Sequence, residues 1–143
     1  MRDSRTALWS DWGTDPFTRA LAARRPVLLF VTAPWVAAGR AMEATTWRDA
    51  DLRRWLYDAV VALRVDADWR PDIADRYAPE GLPTTALLSP IGEPLSSTTY
   101  VSAEALRSAI ERVSATLRAR FREFLTPAPA TVTPPAADPA ELR

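Results

Sequence analysis

Carboxylates are the first candidates for chemistry in this chain, and four of them fall close together: Asp66, Asp68, Asp72 and Asp75. Asp66-x-Asp68 begins like a calcium-binding loop. However, Arg70 falls on a ligand position and no glycine follows to make the sharp turn such a loop needs. Helix capping and pairing with Arg70 and Arg76 account for the acids more simply, so no metal is expected. Glu43 and Asp66 are the next candidates, as a general acid and base, but nothing in their spacing demands that pairing. Cys, His, Lys, Asn and Gln are absent, and every basic residue is Arg. These absences exclude a thiolate nucleophile, a Cys/His zinc site, an imidazole base and a Schiff-base amine. Neither an enzyme nor a bound cofactor is expected.

Two short stretches hold more information than the acids. Ala33-Pro34-Trp35-Val36-Ala37-Ala38-Gly39-Arg40 closes one apolar run and opens a helix, and Gly81-Leu82-Pro83-Thr84 opens another apolar run. A helix N-terminus presents free N–H groups and a partial positive charge, to which Arg40 adds. An anion or carboxylate could be held there. Alternatively, Val36 and Ala37 seal a site that is not used.

The elements that must position these stretches are legible from periodicity. Leu8, Trp9 and Trp12 come first, and a helix follows with Thr14 or Asp15 as cap and Pro16 at its first position. Val27–Val31 and Ala59–Val65 are short continuous apolar runs, which fit strands buried on both faces. Between them, a helix from Gly39 carries Met42 and breaks near Thr45-Thr46, and Asp49 caps a further helix with Leu52, Trp55 and Leu56 on one side. Pro71 starts a short helix to Tyr77. Thr84–Leu88 is a third strand, and Pro94–Tyr100 returns as an edge strand, where proline is tolerated. Ser102 caps a long helix whose stripe runs Leu106, Ile110, Val113, Leu117, Phe121, Phe124 and Leu125. Residues 1–125 thus read as one α/β domain with a central mixed sheet flanked by helices in three layers. Residues 126–143, rich in Pro and Ala, read as a disordered or polyproline-like tail.

Eighteen acids balance eighteen arginines, so no overall field draws nucleic acid or an anionic membrane. No apolar run approaches the ~20 residues of a membrane span, and no signal-peptide core follows the N-terminus. A soluble cytoplasmic protein is expected.

The helix, strand, helix, strand, helix, strand, strand, helix order, together with the two loops, resembles thioredoxin. There the first loop reads Ala-Pro-Trp-Cys-Gly-Pro-Cys-Lys and the second Gly-Ile-Pro-Thr, with a cis proline. Val36 and Gly39 stand at the two cysteine positions, and Phe30 stands where thioredoxins bury an Asp. The stretch Val65–Tyr77, with Gly81-Leu82-Pro83, Pro90–Pro94, Thr99-Tyr100, Trp9, Trp12 and Met42-Glu43, is similar to the thioredoxin-like domain that opens proteins named after a spermatogenesis-associated member. That likeness covers residues 8 to about 112.

The resemblance implies a thioredoxin-like fold in which Trp35, Val36, Ala37, Ala38, Gly39 and Arg40 form a vestigial active-site loop opposite a cis Pro83. It also implies that an extended partner pairs with the backbone before that proline, through Leu82, Pro83 and Thr84. Thiol–disulfide exchange needs an attacking thiolate, so a redox-inactive protein is expected, acting as a binding, accessory or scaffold subunit. The alternative is a non-thiol enzyme or small-ligand binder using the vestigial cleft. The apolar stripe through Leu117, Phe121, Phe124 and Leu125 exceeds what such a domain needs. Together with the Pro/Ala segment it is expected to dock a protein partner, or else to pack on the protein's own N-terminus. Trp35 is expected exposed, and Trp12, Trp47 and Trp55 in the core or half-buried.

Overall fold

A computed structural model describes residues 8–121. Its elements are β1 (Trp9–Ser10), α1 (Thr14–Ala23), β2 (Val27–Thr32), α2 (Ala37–Ala44), a 3₁₀ turn (Thr46–Arg48), α3 (Ala50–Ala59), β3 (Val61–Asp66), α4 (Pro71–Tyr77), β4 (Thr84–Leu88), β5 (Pro94–Thr98) and α5 (Ala103–Ala119). The strands lie in the order β1-β3-β2-β4-β5. β1, β3 and β2 run parallel, while β4 is antiparallel to β2 and β5 antiparallel to β4.

β2 is buried along its whole length, as its unbroken apolar run requires of a central strand covered on both faces. Its side chains alternate. Leu28 and Phe30 face one layer with Met42, Trp47, Leu52, Leu56, Leu106 and Ile110, from α2, the 3₁₀ turn, α3 and α5. Val27, Leu29 and Val31 face the other layer with Phe17, Ala20, Ile73 and Tyr77, from α1 and α4. The result is a three-layer α/β sandwich of the thioredoxin-like type, with a mixed sheet in the middle.

Several boundaries differ from the sequence reading. α1 begins at Thr14 with Gly13 as its N-cap and no side-chain cap, so Pro16 is the third helical residue. The first N–H groups of a helix have no partner within it, so a proline anywhere in the first turn loses nothing. β1 escaped the sequence reading because two residues are too few to show a period. The break after α2 is the 3₁₀ turn, and Asp49 caps α3 by accepting from Leu52 N at 2.9 Å. Ser102 caps α5 in the same way, through Ala105 N at 3.2 Å.

α5 ends at Ala119, with Arg120 as its C-cap. Phe121 is again helical at the end of the described residues, and the continuation of the stripe to Leu125 lies outside them. Leu117 is 1% exposed and Phe121 8%, and the Arg24 guanidinium lies 4.6 Å above the Phe121 ring. Both residues are therefore buried in this domain instead of being presented to a partner. Phe121 is covered by Arg24, at the α1–β2 corner. Phe124, Leu125 and the Pro/Ala segment lie outside the described residues.

Candidate functional site

Thr32 ends β2 opposite Asp66 at the end of β3, and Val31 pairs with Thr84 at the start of β4. The loops that leave these three strand ends therefore gather at one edge of the sheet, on either side of β2. This is why two stretches 40 residues apart in the sequence share a site.

The first loop turns through Ala33, Pro34 and Trp35, where Val36 N donates to Ala33 O at 3.0 Å. Val36 is the N-cap of α2, without a side-chain cap, and is buried. Arg40 Nη1 reaches back to Pro34 O at 2.7 Å and braces the turn. Gly39 lies against Thr32: a Cβ built on it would stand 2.1 Å from Thr32 Oγ1 and 3.2 Å from Thr32 Cβ. Thr32 is itself buried, and its hydroxyl has no hydrogen-bond partner among the described residues. The first turn of α2 therefore approaches the strand end too closely for any side chain at position 39.

On the β4 side, the Leu82–Pro83 peptide bond is cis, Gly81 has φ 125°, and Thr84 Oγ1 donates to Gly81 O at 2.7 Å. Pro83 and Thr84 are buried, and Leu82 is half-buried. The β2–β4 ladder stops at Val31–Thr84, so the Leu82 backbone lies outside it and next to the first loop.

On the β3 side a cleft of about 700 Å³ opens, with Thr32, Gly39, Arg40, Glu43, Arg64, Asp66, Trp69, Arg70, Asp11 and Trp12 among its walls. Several acids at and beside it are engaged in structure. Asp66 Oδ1 accepts from Asp68 N at 2.8 Å, Asp68 accepts from Trp35 Nε1 at 3.1 and 3.2 Å, and Asp72 takes two bonds of 3.1 Å from Arg70. Glu43 forms an ion pair with Arg64 and none with Asp66. Asp75 is exposed on α4. No group of three or more acidic residues is arranged to hold a metal ion among the described residues.

Trp35 is 66% exposed, and Trp12, Trp47 and Trp55 are buried or half-buried. Sequence reasoning missed Trp69, which is 82% exposed at the cleft. It also missed the Trp35–Asp68 bond that joins the two loops. An Asp three residues before a helix-starting proline looks like a cap, and only the register of β2 on β3 brings it to Trp35.

The family model described as Thioredox_DsbH (protein of unknown function, DUF255) matches residues 3–126. The chain belongs to this family. No curated protein sequence matches it. Among solved structures, a thioredoxin from Thermus thermophilus is similar at TM-score 0.65 and 19% identity, covering 78% of this chain and 92% of that one. A protein titled DsbH oxidoreductase is similar at TM-score 0.61 and 13% identity, covering 82% and 90%. A thioredoxin variant from Halobacterium salinarum gives 0.54 and 20%, covering 75% and 89%. These likenesses establish the fold. This Thioredox_DsbH chain contains no cysteine, so it has no thiol with which to exchange disulfides.

Proposed function

We propose that this protein is a redox-inactive member of its family that works in the cytoplasm as a binding or accessory subunit. In this reading it holds an extended segment of a partner protein along Leu82, Pro83 and Thr84. The observation that carries it is the Thr32–Gly39 contact. The second thiol position is not merely substituted but filled by a neighbouring residue, while the peptide edge beside it remains open. An edge of unpaired backbone next to a buried turn recognises extended chain by strand addition and needs no side-chain chemistry. The accessory role also agrees with the sequence likeness to the domain that opens the spermatogenesis-associated proteins. In those proteins the domain precedes a much larger one. The cleft on the β3 side favours a second reading, a small-ligand binder.

The test is co-purification of the full chain and of Leu82→Glu from the source cells. A polypeptide recovered at one-to-one stoichiometry with the native chain and lost with Leu82→Glu supports the first reading. A co-purified small molecule, retained by Leu82→Glu, supports the second. A partner protein bound equally by both chains removes the Leu82 edge from the proposal.

A further inference from the structure

The cleft on the β3 side lies across β2 from Leu82 and Pro83, so its use is a separate question from the partner edge. It presents aromatic surface to solvent. Trp69 lines it and is 82% exposed, and Trp35, beside the lining residue Pro34, is 66% exposed. Two open indoles on loops joined by the Trp35–Asp68 bond form a patch, and an exposed apolar patch is more informative than a single scattered residue. These two are also held in place. Trp35 Nε1 is tied to the Asp68 carboxylate, and Trp69 N donates to Asp66 O at 3.1 Å. The Trp69 indole N–H has no acceptor among the described residues and is available to a ligand carbonyl. Indole walls with a free N–H donor are the features that recognise polyproline II segments, whose backbone carbonyls are all unpaired and whose rings stack on aromatic faces. Arg40, at the same cleft, bonds only to the Pro34 carbonyl and has no carboxylate partner among the described residues.

The chain supplies a segment of that chemistry. Residues 126–143 contain Pro127, Pro129, Pro134, Pro135 and Pro139, with Asp138 among them. The distance can be spanned. Phe121 lies at the α1–β2 corner, beneath Arg24, at the opposite end of β2 from the cleft. The six residues of β2 cover about 20 Å at ~3.3 Å each. Pro134 stands thirteen residues past Phe121, which is about 40 Å of polyproline helix at ~3.1 Å per residue.

We propose that this cleft is the docking site of the protein's own Pro/Ala-rich segment, with Pro134-Pro135 against Trp35 and Trp69 and Asp138 toward Arg40. The segment binds within its own chain.

Because the chain has no cysteine, a single Ala140→Cys substitution in the full chain takes a spin label at one place only. Indole N–H resonances then report which tryptophans the label approaches. The expected result is loss of the Trp35 and Trp69 signals at every protein concentration, with the Trp55 signal retained. Pro134→Ser/Pro135→Ser in the labelled chain should restore both lost signals. Trp55 is the internal control, since it shares a surface with Arg24 near the point where the chain leaves α5. Loss at Trp55 instead of Trp69 would mean that the segment stays at its origin and would overturn the proposal. So would losses that grow with protein concentration, which indicate a second copy, and so would a cleft that retains a co-purified small molecule while both indole signals persist.

Discussion

Thr32 Oγ1 and a Cβ on Gly39 cannot both be accommodated, since they would stand 2.1 Å apart. The two positions form one packing unit, and the unit fixes the closest approach of α2 to β2. Gly39→Ala should therefore destabilise the native chain, with overpacking of about 1–3 kcal/mol exceeding the ~1 kcal/mol that alanine gains over glycine in a helix. In a Thr32→Ala background the same substitution should be neutral or stabilising. Urea unfolding of the four chains measures this, and equal effects in both backgrounds would show that the contact does not govern the site. The same geometry predicts that Val36→Cys/Gly39→Cys shows no insulin-reducing activity and lowered stability.

The sequence held most of the fold because the central strands are continuous apolar runs and the helices carry caps and stripes. Val27–Val31, Asp49 and Ser102 signal their roles through residue type alone. The site was legible only in part. Trp35, Val36 and the 81–84 turn could be located by likeness to thioredoxin loops. The Thr32–Gly39 contact, the Trp35–Asp68 bond and the cleft all depend on the register between strands, which residue spacing does not encode. The end of α5 was hard to read for a related reason: an apolar stripe states that a face needs cover but not what covers it, and over Phe121 the cover is Arg24.

Phe30 gives a second prediction. It is fully buried, with its ring centroid 6.0 Å from Trp9 and 5.1 Å from Trp47. Phe30→Ala should cost about 3–5 kcal/mol, as for other large core aromatics. Phe30→Asp, which would place a carboxylate where thioredoxins have one, should cost more than Phe30→Ala at neutral pH, because the charge would be desolvated among the Trp9 and Trp47 rings while Arg64, its register partner on β3, is already paired with Glu43. Circular dichroism of the two variants checks this. A folded Phe30→Asp with native stability would contradict the packing described.

The end of α5 gives a third. A chain stopped after Thr116 loses Leu117, which is 1% exposed, and Phe121, which is 8% exposed. Removing one buried Leu costs about 2–5 kcal/mol by itself, comparable to the 5–15 kcal/mol total stability of a typical domain. That chain should be unfolded or close to it. A chain stopped after Phe121 keeps both residues and the Arg24 contact, and should melt within a few degrees of the full protein. Equal melting temperatures for the two truncations would show that the last turns carry no core packing.

Tyr77 provides a pH test. Its hydroxyl donates to Gly92 O at 2.9 Å within the core between α4 and the β4–β5 turn. Burial raises its pKa above the ordinary 10.0, an effect that the nearby Arg76 guanidinium partly opposes. The folded state thus holds the phenolic proton more tightly than the unfolded chain does. The resulting stability is fully present below pH 10 and is lost as pH rises past 10 toward the folded-state value, because the unfolded chain ionises first. Tyr77→Phe removes this dependence while giving up one hydrogen bond, worth about 1 kcal/mol. At pH 7 the variant should be slightly less stable than the native chain, and between pH 10 and 11 the gap should narrow or close. Urea midpoints measured for both chains across that range decide it: parallel declines with a constant gap would mean that Tyr77 is not the group whose ionisation opens the core.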